Sequence, residues 1–230
     1  MPATTRGESG GDLVARAVAV LRRGGLVAFP TDTVYGLGAD VFNSAALERL
    51  FVMKGRPAER AVPVLLADDD DALQVTPGLP PTATALARVF WPGPLTLVVR
   101  RLPTVPDAVT GGGDSIGIRV PDHPVPRSLI RALGRPITGT SANGSGRPPH
   151  RDAAGVRADL GTGVDLVIPG DCGPYSKPST VVDCTRTPAM VVREGAVALD
   201  RLRSAWPDIE GPAARPAVGD IPAARHGVTK

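Results

Sequence analysis

A chain of 230 residues, 42% of them hydrophobic and with a mean hydropathy of +0.03, can bury a full core as one large domain or one domain with tails. Its net charge of +3 is too small to indicate nucleic-acid binding by itself, and no apolar run approaches the roughly 20 residues of a membrane span. Cys172 and Cys184 form no CxxC pair and have no histidine cluster nearby, which argues against zinc and for reduced thiols; the polar stretch Met1 to Gly11 lacks the apolar core of a secretion signal, so a cytoplasmic location is expected.

In chain order, Asp12 caps a predicted helix through Arg23, with Leu13, Val14, Ala17, Val18 and Leu21 on one face and Gly24-Gly25 as its stop. The apolar strand Leu26 to Phe29 then runs into Pro30-Thr-Asp-Thr-Val-Tyr-Gly-Leu-Gly38, a dense set of hydroxyls, a carboxylate and glycines. Such a stretch suits a small-molecule site at a strand end, and equally an ordinary turn. Asn43 or Ser44 caps a second helix through about Lys54, which stops in Lys54-Gly55-Arg56-Pro57. Cations at a helix C-terminus complement the dipole as well as any ligand.

Val62 to Leu66 reads as a buried strand, Asp68 to Asp71 as an acidic cap, and Pro81 to Phe90 as a helix broken by Trp91-Pro92-Gly93-Pro94 ahead of the strand Leu95 to Arg100. A loop to Gly113 precedes the strand Ser115 to Pro121, whose alternation places Ser115, Gly117 and Arg119 on one side. An inward arginine requires an anionic partner, either a structural carboxylate or a ligand phosphate. Val125 to Leu133 is predicted helical. Pro136 to Thr140 is a short strand into Ser141-Ala-Asn-Gly-Ser-Gly-Arg-Pro148, whose backbone amides suit an anion. A helix over 152–160, a strand over 165–168, a loop carrying Tyr175 and Lys177, and strands from Ser179 and Met190 complete the predicted domain of residues 12–205. Residues 1–11 and 206–230 are read as flexible tails. Of the 26 basic residues only Lys54, Lys177 and Lys230 are lysines, so an ammonium inside a motif suggests a need for a compact, flexible cation.

The architecture expected from this alternation is α/β of the α+β type, a twisted mixed sheet, largely open, with flanking helices. Neither GxxxxGK[ST] nor GxGxxG occurs, so a nucleotide would need another kind of loop.

PTDTVYGLG, KGRP at Lys54, SIGIRVP at Ser115, SANGSGRP at Ser141, PSTVVD at Pro178 and VREG at Val192 together resemble, in order and spacing, the YrdC-like threonylcarbamoyl-AMP synthases over about residues 12–200. The resemblance implies a YrdC-like fold with a basic concave cavity. It implies synthesis of threonylcarbamoyl-adenylate from L-threonine, bicarbonate and ATP, with Mg2+ and release of pyrophosphate, as the first step of tRNA threonylcarbamoyladenosine modification completed by a separate transferase machinery. Lys54, Arg56 and Arg119 would carry the catalysis, with no metal ligands from the protein. Thr33, Arg119 and Ser179 would hold threonine. Lys54, Arg56 and Arg193, assisted by Arg60, would face the phosphates, and Ser115, Ser141, Asn143 and Pro149 the rest of the nucleotide. Asp32, Tyr35, Thr180 and Asp183 would be wall residues. Where longer relatives carry an Asn-Pro-Leu run and a threonine-contacting histidine, this chain has Arg60-Ala61-Val62 and Leu65, and the short, single-domain form is expected. The alternative is a non-catalytic protein that contacts tRNA or double-stranded RNA through the concave surface. A second alternative, the related hydrogenase-maturation domain, normally sits in a much longer chain.

Overall fold

The computed structural model describes residues 10–57 and 59–212. In chain order they form α1 (Gly10–Arg22), β1 (Val27–Phe29), β2 (Gly36–Gly38), α2 (Ser44–Lys54), β3 (Val64–Leu65), α3 (Pro81–Phe90), β4 (Leu95–Arg100), α4 (Asp107–Thr110), β5 (Ser115–Arg119), α5 (Pro124–Leu133), β6 (Ile137–Thr138), β7 (Thr140–Ser141), α6 (Ala153–Leu160), β8 (Leu166–Val167), β9 (Thr180–Asp183), β10 (Met190–Arg193) and α7 (Leu199–Ala205). The strands make two sheets, in the orders β7-β2-β1-β8 and β10-β9-β4-β5-β3-β6. Both are mixed: β1 and β8, β3 and β5, and β4 and β9 pair parallel, and the other neighbours antiparallel.

Local chemistry sets the helix ends. Asn43 Oδ1 accepts from Ala46 N–H at 3.1 Å at the start of α2, and His123 Nδ1 accepts from Val125 N–H at 3.2 Å at the start of α5, where Pro124 occupies the first turn. Gly55, at φ 58°, closes α2 in the left-handed region that a side chain disfavours, so the chain reverses between Lys54 and Arg56.

The strand period decides which face is filled. Leu95, Leu97 and Val99 of β4 and Ile116 and Ile118 of β5 point into the main core with α2, α3 and α7, and each such fully buried side chain contributes about 2 kcal/mol. A second cluster joins Ala17, Val18 and Leu21 of α1 to Leu129, Ile130 and Leu133 of α5 over Val27 and Phe29. Thr96 and Val98 of β4, Arg119 of β5, Leu65 of β3 and Val181 of β9 face the other way, and this side of the six-stranded sheet holds the polar groups.

The structure departs from the sequence reading at several places. Gly36–Gly38 is no loop: it returns as β2, antiparallel to β1, with Gly36 opposite Phe29. The single strand expected over Pro136 to Thr140 divides at Gly139, β6 joining the larger sheet and β7 the smaller. A Cβ on Gly139 would lie 2.4 Å from Leu65 Cγ, so only glycine fits where the chain changes sheets. The expected tail from residue 206 begins with packed chain, because Ile209 is buried and Glu210 N–H donates to Ala189 O at 2.9 Å. Gly10 and Gly11 already belong to α1, and the remainder of both expected tails, residues 1–9 and 213–230, lies outside the described residues. Among the described residues no helix is long and apolar enough to cross a membrane.

Candidate functional site

A cavity of about 400 Å³ opens on the polar side of the six-stranded sheet, a size typical of small-molecule sites. Its wall comes from the β1–β2 connection, the end of α2 and the chain after it, the loop following β7, and the segment from Pro178 to Arg193. Among the described residues six cationic side chains line it, Lys54, Arg56, Arg60, Arg119, Arg147 and Arg193, and no Asp or Glu does. Positive charge focused in a concave, low-dielectric surface attracts polyanions strongly.

At one end lies Arg119, buried on β5. Its Nη2 donates to Asp32 Oδ1 at 2.5 Å, its Nε to Gly93 O at 2.9 Å and its Nη1 to Thr33 Oγ1 at 3.3 Å. The anionic partner that an inward arginine requires is therefore a structural carboxylate, although Arg119 still borders the cavity. Beside it the hydroxyls of Thr96 and Ser179 are 2.8 Å apart, and Arg193 Nη2 donates to Ser179 O at 2.8 Å and Ser179 Oγ at 3.2 Å. A guanidinium with hydroxyls grouped around it has the chemistry to hold the carboxylate and hydroxyl of a small amino acid.

At the other end Lys54 Nζ, carried out of α2 by the turn at Gly55, donates to Ser141 O at 2.5 Å and Asn143 O at 2.8 Å. A short, rotatable ammonium can serve two carbonyls on a passing loop in a way a planar fork cannot. Arg56 donates from Nε to Arg60 O at 3.1 Å and from Nη2 to Ala61 O at 2.6 Å. Asn143 uses its Nδ2 on Gly144 O and Arg147 O, and its Oδ1 is a buried acceptor with no partner among the described residues.

This glycine-rich loop is held from behind by Asp159 of α6, which accepts from Gly144 N–H at 3.1 Å, from His150 Nε2 at 2.9 Å and from Arg147 Nη1. Those bonds, His150's first, pull the Asp159 carboxyl down to about 2. On the neighbouring connection, Tyr35 donates its hydroxyl to Ile168 O at 3.1 Å and Gly170 O at 2.8 Å, and burial pushes its phenol up to about 12. Arg151 ties Thr33 O to Gly173 O and Tyr175 O, so one guanidinium joins the β1–β2 connection to the loop from Asp171.

The expected residues Thr33, Lys54, Arg56, Arg60, Arg119, Ser141, Asn143, Pro149, Ser179 and Arg193 all line this one cavity, as does Tyr35. Ser115 does not: it starts β5, four residues from Arg119 and so about 13 Å up the strand, buried opposite Arg100. Asp32 stands behind Arg119 and does not line the cavity. Thr180 also faces away from it, its hydroxyl donating to Val197 O, and Asp183 accepts from Thr185 in a turn. Lys177 is exposed and off the cavity, so of these two lysines only Lys54 lines it. Sequence reasoning gave no role to Arg147, Arg151, Asp159 or Thr96. Arg147 sat inside a quoted motif, whereas Asp159, on the last turn of an ordinary helix, had no local signal. No group of three or more His, Cys, Asp or Glu side chains among the described residues could hold a metal ion.

Comparison with known proteins bears directly on this cavity. A family model for the Sua5, YciO and YrdC proteins, described as telomere recombination, matches residues 19–195. A threonylcarbamoyl-AMP synthase of Pyrococcus abyssi is 39% identical over 186 residues, a match covering 81% of this chain and 55% of that protein. The threonylcarbamoyl-AMP synthase of Thiobacillus denitrificans is 43% identical over 166 residues, with 72% of this chain and 87% of the relative covered. The crystal structure of P. abyssi Sua5 complexed with L-threonine superposes with a TM-score of 0.83 at 37% identity, covering 86% of this chain and 58% of that one. The chain thus spans a little over half the length of the P. abyssi relative.

Proposed function

The chain belongs to the Sua5, YciO and YrdC family, and from that premise we propose that it makes L-threonylcarbamoyl-adenylate from L-threonine, bicarbonate and ATP. The observation that carries the proposal is the composition of the cavity wall: six cations, no lining carboxylate, and an arginine-and-hydroxyl group at one end. A nucleotide triphosphate and an amino acid are ligands of the corresponding chemistry.

In the proposed reaction the amine of threonine combines with bicarbonate, its N–C bond forming as water leaves, and an oxygen of the resulting carbamate attacks the α-phosphorus of ATP. The new carbamate O–P bond forms as the bond from that phosphorus to the pyrophosphate oxygen breaks. Negative charge gathers among groups that repel one another, so positioning and fixed cations supply the rate enhancement, and no side-chain nucleophile is required. Lys54, Arg56, Arg60, Arg147 and Arg193 face the phosphates, and Arg119 with Thr33 and Ser179 takes the amino acid. Ser141 and Pro149 border the nucleoside, and the unpartnered Asn143 Oδ1 accepts a donor from it. In this reading magnesium arrives bound to the phosphates of ATP and helps to neutralise their charge. The product is a reactive mixed anhydride, which a transferase acting on tRNA would consume.

The test is pyrophosphate release by the purified chain with Mg-ATP, bicarbonate and L-threonine. Release should require threonine and fall at least about 100-fold in Lys54→Ala, with the fold checked by circular dichroism. Threonine-independent release would reject the substrate assignment. No release, together with RNA binding that weakens steeply with salt, would favour the RNA-contacting alternative.

A further inference from the structure

Asp32 is almost wholly inaccessible to solvent and does not border the cavity, yet it holds Arg119, which with Arg193 stands among the cavity hydroxyls, with Asp32 Oδ1 accepting from Arg119 Nη2 at 2.5 Å. Its second oxygen, Oδ2, is buried without a hydrogen-bond partner among the described residues. Asp32 and Arg119 together are a neutral unit in a low-dielectric setting, where the field of an uncompensated charge would be strong.

That neutrality matters because the cavity is one continuous hollow with six cations on its wall, and a phosphate could settle against any of them. From this, and resting on the reading of the Arg119 end as the amino-acid subsite, we infer that Asp32 is a specificity-determining residue that keeps phosphate groups off Arg119. A zwitterionic amino acid is neutral overall and enters a neutral subsite with little electrostatic penalty, its carboxylate on the remaining guanidinium N–H groups. A phosphate, with nearly twice the negative charge, meets the Asp32 carboxylate just behind the guanidinium and is repelled. Discrimination of this kind needs a repulsive element as well as an attractive one. The phosphates are thereby left to the other cations of the wall, and the two substrates do not compete for Arg119.

The experiment measures L-threonine binding to the full chain by titration calorimetry at rising concentrations of inorganic phosphate, in the parent protein and in Asp32→Asn. Asparagine keeps an oxygen acceptor for Arg119 Nη2 and removes the charge, with an amide NH2 in place of the second oxygen. In the parent, phosphate should change the threonine Kd by less than about twofold; in Asp32→Asn it should compete, weakening threonine at least about tenfold at high phosphate. Asp32→Glu should behave as the parent, a rescue that a merely space-filling role does not predict. Threonine binding in Asp32→Asn as insensitive to phosphate as in the parent overturns the inference. If Asp32→Asn fails to fold, Asp32→Ser removes the charge with a smaller side chain and is read in the same way. If the parent binds no threonine, the substrate reading fails by itself and the count of bound phosphate decides the present inference. One extra equivalent in Asp32→Asn, lost when Arg119→Met is added, supports it, and an unchanged count overturns it.

Discussion

Tyr35 shows how a site residue can act through the bonds it donates. Its hydroxyl pins the β1–β2 connection to the carbonyls of Ile168 and Gly170, and the phenol titrates near 12 instead of 10 because burial disfavours its anion. A group whose pKa is raised on folding contributes stability that is complete below its unfolded value and disappears as pH climbs through its folded value. The protein should therefore lose stability between about pH 10 and pH 12. Tyr35→Phe should be less stable by about 1 kcal/mol below that window and lack this loss within it, as read by urea denaturation across pH. A parent whose stability is flat through the window would contradict the assignment. Lys54 and Arg119 were legible as chemistry-bearing residues, the first by its rarity and the second by its inward place on a strand. Their buried partners were not legible. Arg119 and Asp32 are 87 positions apart, and truncating one member of a buried pair commonly costs about 3–5 kcal/mol because the other charge is stranded. Arg119→Ala is thus a test of stability as much as of binding.

Among the elements, the helices announced themselves best. α3 and α5 begin with proline in the first turn, α2 has its asparagine cap and its glycine stop, and these signals are local. The short strands were harder, since Pro136 to Thr140 reads as one short stretch whose halves pair with different sheets, and pairing partners leave no mark on a five-residue window. Gly139 is where the two sheets meet, against Leu65, which lies in register with Arg119 across the β3–β5 pair. Gly139→Ala should push Leu65 aside, destabilise the protein by roughly 1–3 kcal/mol and weaken threonine binding more than ATP binding. Chemical denaturation and calorimetry measure both effects; a variant as stable as the parent would mean that the sheet junction has slack.

Over the whole molecule, the cavity is an electrostatic object, and its two ends should respond differently to salt. Raising ionic strength from about 0.05 M to about 0.5 M should weaken ATP binding about tenfold or more, because screening acts on a polyanion facing Lys54, Arg56, Arg60, Arg147 and Arg193. L-Threonine, neutral overall and bound beside a paired arginine, should change by less than about twofold. Equal salt dependence of the two ligands would show that they are not held by separate ends. The sequence by itself determined the motif stretches around Thr33, Lys54, Arg119 and Ser141 and that most of them sit where strands and helices stop, because caps, glycines, prolines and alternation are local properties of the chain. It also placed Ser115, Gly117 and Arg119 on one face. Only the tertiary structure decided that loops from Thr31 to Arg193 meet at one hollow, that Ser115 falls too far up its strand to reach it, and that Asp32 and Asp159 hold Arg119 and the glycine-rich loop. Those facts depend on which strands pair and how the two sheets abut, and that is settled by burying the whole apolar set at once, a condition no short stretch of sequence records.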